Sequence, residues 1–275
     1  MRRMSLVFAF LLILVTACGG SPQPIALVAS SPGSLEVGNQ RVLLGLIDPE
    51  TQAFLPDPAV PATANFVGPK DETIEVPLDF TWAIPNVRGL YRAEVDLPSA
   101  GPWSVSVAAE GFEPTESTPF VVSEETAMPQ VGDPAPAVET RTSEGHELAE
   151  ITSDTDPDPD LYRLSLDDAL ADDRPTVIAF ATPAFCSSET CGPVLEHVKQ
   201  VAADHPDVDF VHVEIYENLD AESFDDLVLV EAVETWALPS EPWVFVTNSE
   251  GIITARFEGA VDPQELGESL SQLGG

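Results

Sequence analysis

Read from about Ile25, the hydrophobic pattern changes period once. As far as Val122, apolar and polar residues alternate in short runs: Arg41–Ile47, Thr73–Val76, Leu90–Leu97 and Trp103–Val107. Within the last run Trp103, Val105 and Val107 share one face while Ser104 and Ser106 take the other. Turn clusters separate the runs: Asp48-Pro49-Glu50, Pro56-Asp57-Pro58, Gly68–Asp71 and Pro98–Pro102. Short alternating strands punctuated by proline and glycine predict an all-β sandwich. Past Gln130 strand and helix patterns take turns. Thr176–Phe180 is a continuous apolar run that leads into a helical pattern ending near Gln200. Asp207–Tyr216 reads as a second strand, Ala221–Ala237 as a weaker helix, and Pro242–Thr247 with Gly251–Phe257 as a hairpin. Leu161–Leu170 reads as a short helix start with Ser165 as N-cap. A final helix opens at Asp262, with Pro263 in its first turn and Glu265 completing a capping box. The expected fold class is an α/β domain preceded by an all-β sandwich.

The N-terminus is a targeting segment. Arg2-Arg3 precede a ten-residue apolar stretch, Leu6–Val15, too short to span a bilayer. Val15-Thr16-Ala17-Cys18 resembles a bacterial lipobox, which implies acylation of Cys18 and a membrane anchor. That places the protein on the extracytoplasmic side of a cell membrane, where disulfides persist. The expected organisation is a signal peptide over 1–17, a tether over 18–32, the sandwich over 33–122, a linker over 123–130 and the α/β domain over 131–275.

Of the 275 residues, 47 are acidic and 11 basic, and a net charge of −36 excludes nucleic acid as a partner, because phosphate binding needs clustered cations. The acid is spread along the chain, as in a solvated anionic surface. Asp154–Asp160 is acidic and proline-rich, but it lacks the spacing and glycine of a calcium loop and reads as solvated. No metal and no cofactor is expected. His146, His197 and His205 read as surface or satisfied residues, and His212 sits inside a strand pattern.

The chemistry concentrates at Cys186 and Cys191, the cysteines left once Cys18 is assigned to the anchor. A strand followed by a turn delivers them to a helix start, where free N–H groups favour thiolate. Two residues five apart in an ideal helix lie roughly 8.6 Å apart, whereas a disulfide needs about 4.4–6.8 Å. Bonding therefore requires that Cys186 precede the helix or that the first turn be distorted, and the turn residues Ala181–Phe185 favour the former. Glu189 is expected in the first helical turn, where its charge suits the dipole and opposes thiolate formation at Cys186.

Gly89–Val105 resembles the last hairpin of immunoglobulin-like modules of bacterial envelope proteins, which makes the sandwich immunoglobulin-like. Val131-Gly-Asp-Pro-Ala-Pro136 resembles the opening of extracytoplasmic thioredoxin-like and peroxiredoxin-like domains. The order of cysteine turn, proline-opened strand and closing hairpin–helix is similar to thioredoxin over Val131–Gly275. The resemblance implies a cis Pro242 facing the cysteines, Cys186 as nucleophile and Cys191 as its resolving partner. The spacing departs from the family: this chain has CxxxxC where thioredoxins have CxxC, so Cys191 is expected one turn further into the helix. Three readings remain open. One is thiol–disulfide exchange on extracytoplasmic protein thiols or disulfides. Another is a redox-inactive binding module with a structural disulfide. Copper handling is the third, for which His212 is misplaced and no later histidine exists.

Overall fold

The computed structural model describes residues 23–54 and 60–274. The apolar leader, Cys18 and the Pro56-Asp57-Pro58 turn lie outside the described residues. Strand outweighs helix, and the strands fall into two sheets of different construction.

The first unit contains β1 (Ile25–Val28), β2 (Gly38–Ile47), β3 (Ala62–Val67), β4 (Thr73–Ile84), β5 (Arg88–Leu97), β6 (Gly101–Ala109) and β7 (Thr118–Val122). They run in the order β1-β2-β5-β4-β3-β6-β7, and every pairing is antiparallel. β4 is long enough to serve both layers. Thr73–Leu78 pairs with β3, and Asp79–Ile84 pairs with β5. The two layers close on one core around Trp103, Phe66, Leu44, Val95 and Leu97, giving a β-sandwich. The alternation of Trp103, Val105 and Val107 does what the pattern requires, and the buried Trp103 indole N–H donates to the Ser99 carbonyl at 2.8 Å. At Gly89 any side chain would collide with the Phe80 ring, whose nearest carbon lies 2.3 Å from the place a Cβ would take.

Three expectations about this unit need correction. β5 and β6 do not form a hairpin together: β5 pairs with β2 and β4, while β6 pairs with β3 and β7. The short connection over 98–100 carries the chain from one layer to the other. Ile25–Val28, assigned to the tether, is an edge strand on β2. The 123–130 linker is pinned as well. Ser123 exchanges backbone hydrogen bonds with Leu35 and Val37, Thr126 donates twice to the Glu36 carboxylate, and Met128 is buried in the next core.

The second unit comprises α1 (Leu148–Ile151), α2 (Leu166–Ala171), β8 (Thr176–Ala181), α3 (Cys191–Asp204), β9 (Asp209–Glu214), α4 (Glu231–Thr235), β10 (Trp243–Thr247), β11 (Ile253–Glu258) and α5 (Pro263–Ser271). Its sheet order is β11-β10-β8-β9, with β8 and β9 parallel and the other pairs antiparallel. All six residues of β8 are buried, as a central strand covered on both faces must be. Its even positions Ile178 and Phe180 meet Leu166, Val233 and Trp236 on one side. Its odd positions Val177 and Ala179 meet Val194, Leu195, Val198 and Leu266 on the other. Two helical layers thus sandwich the sheet. The helix expected over Ala221–Ala237 shrinks to a 3-10 turn at Phe224–Asp226 and the five-residue α4, because Asn218 ties down the intervening loop. Ser165 does precede α2, but its hydroxyl donates to Asp167 and accepts from the Thr140 N–H instead of capping the helix.

Candidate functional site

β8 ends at Ala181, and the chain turns through Thr182–Thr190 before α3 begins. Cys186 lies in that turn and Cys191 is the first residue of α3. Their Cα atoms are 6.0 Å apart and the sulfurs are bonded. The separation falls within the disulfide range because the intervening Ser187–Thr190 is loop and not helix. Cys191 therefore opens the helix, where the spacing had set it a turn inside. Glu189 is likewise not in the first helical turn: it sits in the loop with φ 62°.

The two sulfurs have different surroundings. Cys191, the first residue of α3, is wholly buried, whereas Cys186 is partly exposed in the loop. The Cys186 sulfur accepts the backbone N–H of Cys191 at 3.2 Å and lies 3.2 Å from the Ser188 hydroxyl. That N–H is one of the four that a helix start leaves without an internal partner, so the contact directs the positive end of α3 at Cys186.

Pro242 immediately precedes β10, and the Glu241–Pro242 peptide bond is cis. Ser187 and Ser188 share a cleft of about 340 Å³ with Ser240 and Glu241. The neighbours of Cys186 and of Pro242 thus meet across one opening. Burial raises the Glu241 carboxyl above the usual carboxylate range. Ala29 and Ser31 of the sandwich line the same cleft. On the other side of Cys186, Phe185 packs edge-on against Tyr216 and Phe224, and Phe224 is 66% exposed.

The sequence reading passed over the residues that tie this loop to the sandwich. Arg88, at the start of β5, donates to the Ser188 carbonyl at 2.6 Å and to the Glu189 carboxylate at 2.9 Å. No local pattern marks Arg88. Its scarcity does, since the chain has only 11 basic residues.

His212 is buried. Its Nδ1 lies 2.7 Å from the Tyr162 hydroxyl and its Nε2 lies 3.0 Å from the Ala181 carbonyl. A neutral ring fits both contacts, with Nε2–H donating and Nδ1 accepting. Burial lowers its pKa below the ordinary histidine value. His197 pairs with the Val261 carbonyl, and His146 lies 3.9 Å from Glu150. Asp154, read as part of a solvated loop, is instead buried against Lys199. Among the described residues no helix is long and apolar enough to cross a membrane.

No protein-family model and no curated protein matches the chain. Solved structures similar to part of it include the Lin-41 filamin domain, at 13% identity over 38% of this chain and 100% of that one, with a TM-score of 0.25. The fibronectin type-III domain of human fibronectin type III domain containing protein 3 is 14% identical over 40% of this chain and 94% of that one, with a TM-score of 0.24. A conjugative transposon lipoprotein from Bacteroides eggerthii is 13% identical over 38% and 98%, with a TM-score of 0.18. Likeness this low decides nothing about activity, and the sandwich rests on its own strand pairing.

Proposed function

We propose that the second unit is a thioredoxin-like domain, and that the protein exchanges disulfides with cysteines of other proteins while a lipid on Cys18 holds it to the extracytoplasmic face of a membrane. The observation that carries this reading is the asymmetry of the pair: a partly exposed Cys186 bonded to a fully buried Cys191 at the first residue of α3. The strand order β11-β10-β8-β9 and the placing of Pro242 at the head of β10 support the same fold. The proposed immunoglobulin-like character of the sandwich adds no chemistry of its own.

The exchange proceeds in two displacements. A partner thiolate attacks the accessible Cys186 sulfur. The Cys186–Cys191 bond breaks, and Cys191 leaves as a thiolate that takes a proton from solvent. A second partner thiolate then attacks the partner's own sulfur in the mixed disulfide, and Cys186 is released. The Cys191 N–H that already points at the Cys186 sulfur stabilises the departing thiolate. Two electrons pass from the partner dithiol, oxidised to a disulfide, to the pair, reduced to a dithiol. The same steps reversed oxidise the pair.

Copper handling has no support here, since both ring nitrogens of His212 are engaged inside the fold. The remaining alternative, a binding module with a structural disulfide, separates by reduction potential. Equilibration of the purified protein with glutathione buffers is expected to give a value less negative than about −280 mV. A value below about −300 mV marks a structural bond and overturns the exchange reading. Cys186→Ser and Cys191→Ser should each abolish turnover of a dithiol substrate, and unchanged turnover in either also overturns it.

A further inference from the structure

We propose that the sandwich sets the redox equilibrium of the cysteine pair through Arg88, a positioning residue that holds the Ser187–Thr190 loop in its disulfide-closed shape. This rests on the exchange reading above and gives the first unit a part in it.

Arg88 stands at the tip of the β4–β5 hairpin. Its guanidinium lies 5.1 Å above the Phe54 ring, which fixes its direction. Phe54 is itself held against β2: it bridges Ile47, and its edge fills the space over Gly45, 2.7 Å from where a Cβ would stand. From that platform the fork reaches two consecutive loop residues, the Ser188 carbonyl and the Glu189 carboxylate. Glu189 keeps φ at 62°, a left-handed conformation that residues with side chains seldom hold without support. Ser188 in turn touches the Cys186 sulfur and the Thr190 hydroxyl, the latter at 2.8 Å. A continuous line of contacts therefore runs from the sandwich through Arg88 and Ser188 to the reactive sulfur.

Re-forming the bond requires the reduced loop to regain its closed shape, and ordering four free residues opposes closure. A loop already gripped at two of the four loses less freedom when the sulfurs join. A contact that fits the closed loop better than the open one shifts the equilibrium toward the closed form. A second effect opposes this. Arg88 offsets the Glu189 charge near Cys186, which favours thiolate and hence the reduced pair. Glu189 is 71% exposed and its pairing with Arg88 is screened by solvent, so the geometric effect is the larger.

The test uses the full chain in glutathione buffers, with free thiols counted by mass. Arg88→Ala is expected to shift the equilibrium about tenfold toward the dithiol, roughly 30 mV less negative for a two-electron couple. Arg88→Lys should fall between, because an ammonium cannot reproduce the planar fork. A shift under twofold in an Arg88→Ala protein with wild-type circular dichroism and melting temperature overturns the proposal. If Arg88→Ala does not fold, Arg88→Lys decides: it keeps the charge beside Glu189 but loses the two-pronged hold on the loop, and is expected to shift the equilibrium in the same direction by a smaller factor, and no shift overturns the proposal. A wild-type pair that refuses to equilibrate defeats the exchange reading alone. The grip is then read from amide hydrogen exchange at Ser187–Thr190 in the disulfide-bonded chain. Faster exchange in Arg88→Ala supports the grip, and unchanged exchange overturns it.

Discussion

Asp209 and His212 occupy the same strand, β9, and respond to pH in opposite senses. Burial pushes the Asp209 carboxyl up to about 6 from an ordinary 3.8, the Asp172 carboxyl adds to the effect, and Arg174 offsets it only in part. Arg174 stands 3.3 Å away without a well-formed hydrogen bond. Between those two pH values the folded chain keeps a proton that the unfolded chain has released. Stability contributed by Asp209 is therefore present at low pH and lost as pH rises through about 4 to 6. His212 is buried neutral, with its folded pKa lowered. Its unfolded form takes up a proton below about pH 6.5, so its contribution is lost as pH falls past that point. Asp209→Asn should raise stability at pH 7 by on the order of 1 kcal/mol after allowance for screening. It should also unmask the histidine slope. Urea midpoints measured from pH 4 to 7 should then fall monotonically toward acid, and a flat profile would contradict the placement of His212.

Among the elements, α5 shows how a local signal is redirected by its surroundings. Asp262 caps the helix as its sequence suggests, accepting the Glu265 N–H at 2.9 Å. Glu265 does not close the capping box. Its carboxylate is taken by Arg41, at 2.6 and 2.8 Å, and by Arg92, at 2.9 Å, both reaching across from the sandwich. Asp262→Ala should destabilise by about 1 kcal/mol, an ordinary cap loss. Glu265→Ala should destabilise by roughly 2–4 kcal/mol, because it takes from the half-buried Arg41 its carboxylate and leaves Arg92 with Asp79 alone. Urea denaturation that ranked the two variants equally would show that Glu265 acts as a local cap only. The same contrast explains what the sequence reveals. β8 and α3 were legible because the short apolar run Thr176–Phe180 and a helical stripe are set by the core they enter. The helix over Ala221–Ala237 failed because Asn218 side-chain contacts, which leave no periodic trace, win over weak propensity. β1 was missed because Ile25–Val28 is a short edge run among prolines, and β3 because its alternation in Ala62–Val67 uses alanines. The cysteine loop was half legible: the distance rule allowed a bond only with Cys186 before the helix or a distorted first turn, and nothing local disclosed that Glu189 answers to Arg88.

Across the whole molecule, positive charge gathers where the two units meet. Arg41, Arg88 and Arg92 reach from the sandwich to the second unit, and Arg256 reaches back to the Ser34 carbonyl and to Gln40. Glu258 accepts the Ser31 N–H and the Ser34 hydroxyl, and Thr81 donates to Asp262. Everywhere else the surface is dominated by acid, so self-repulsion works against the compact form at low ionic strength. Raising sodium chloride from about 10 mM to 500 mM shortens the Debye length from roughly 30 Å to under 10 Å. The melting temperature should therefore climb by several degrees, since surface repulsion is screened more than the shielded seam. A falling melting temperature would mean that the seam pairs are the more exposed to salt.

The seam also has an order in time. Domains tend to fold as they are made, beginning from the N-terminus. The sandwich has all its strands once Val122 is made, whereas Glu258 and Glu265 belong to the last strand and last helix described. During synthesis Arg41 and Arg92 therefore precede the Glu265 carboxylate that joins them, and until it arrives Arg92 has Asp79 of β4 for a partner while Arg41 has none from α5. A sandwich made without the second unit would show on one flank an Arg41 guanidinium lacking its carboxylate, a chemical mark by which an incomplete product differs from a whole one.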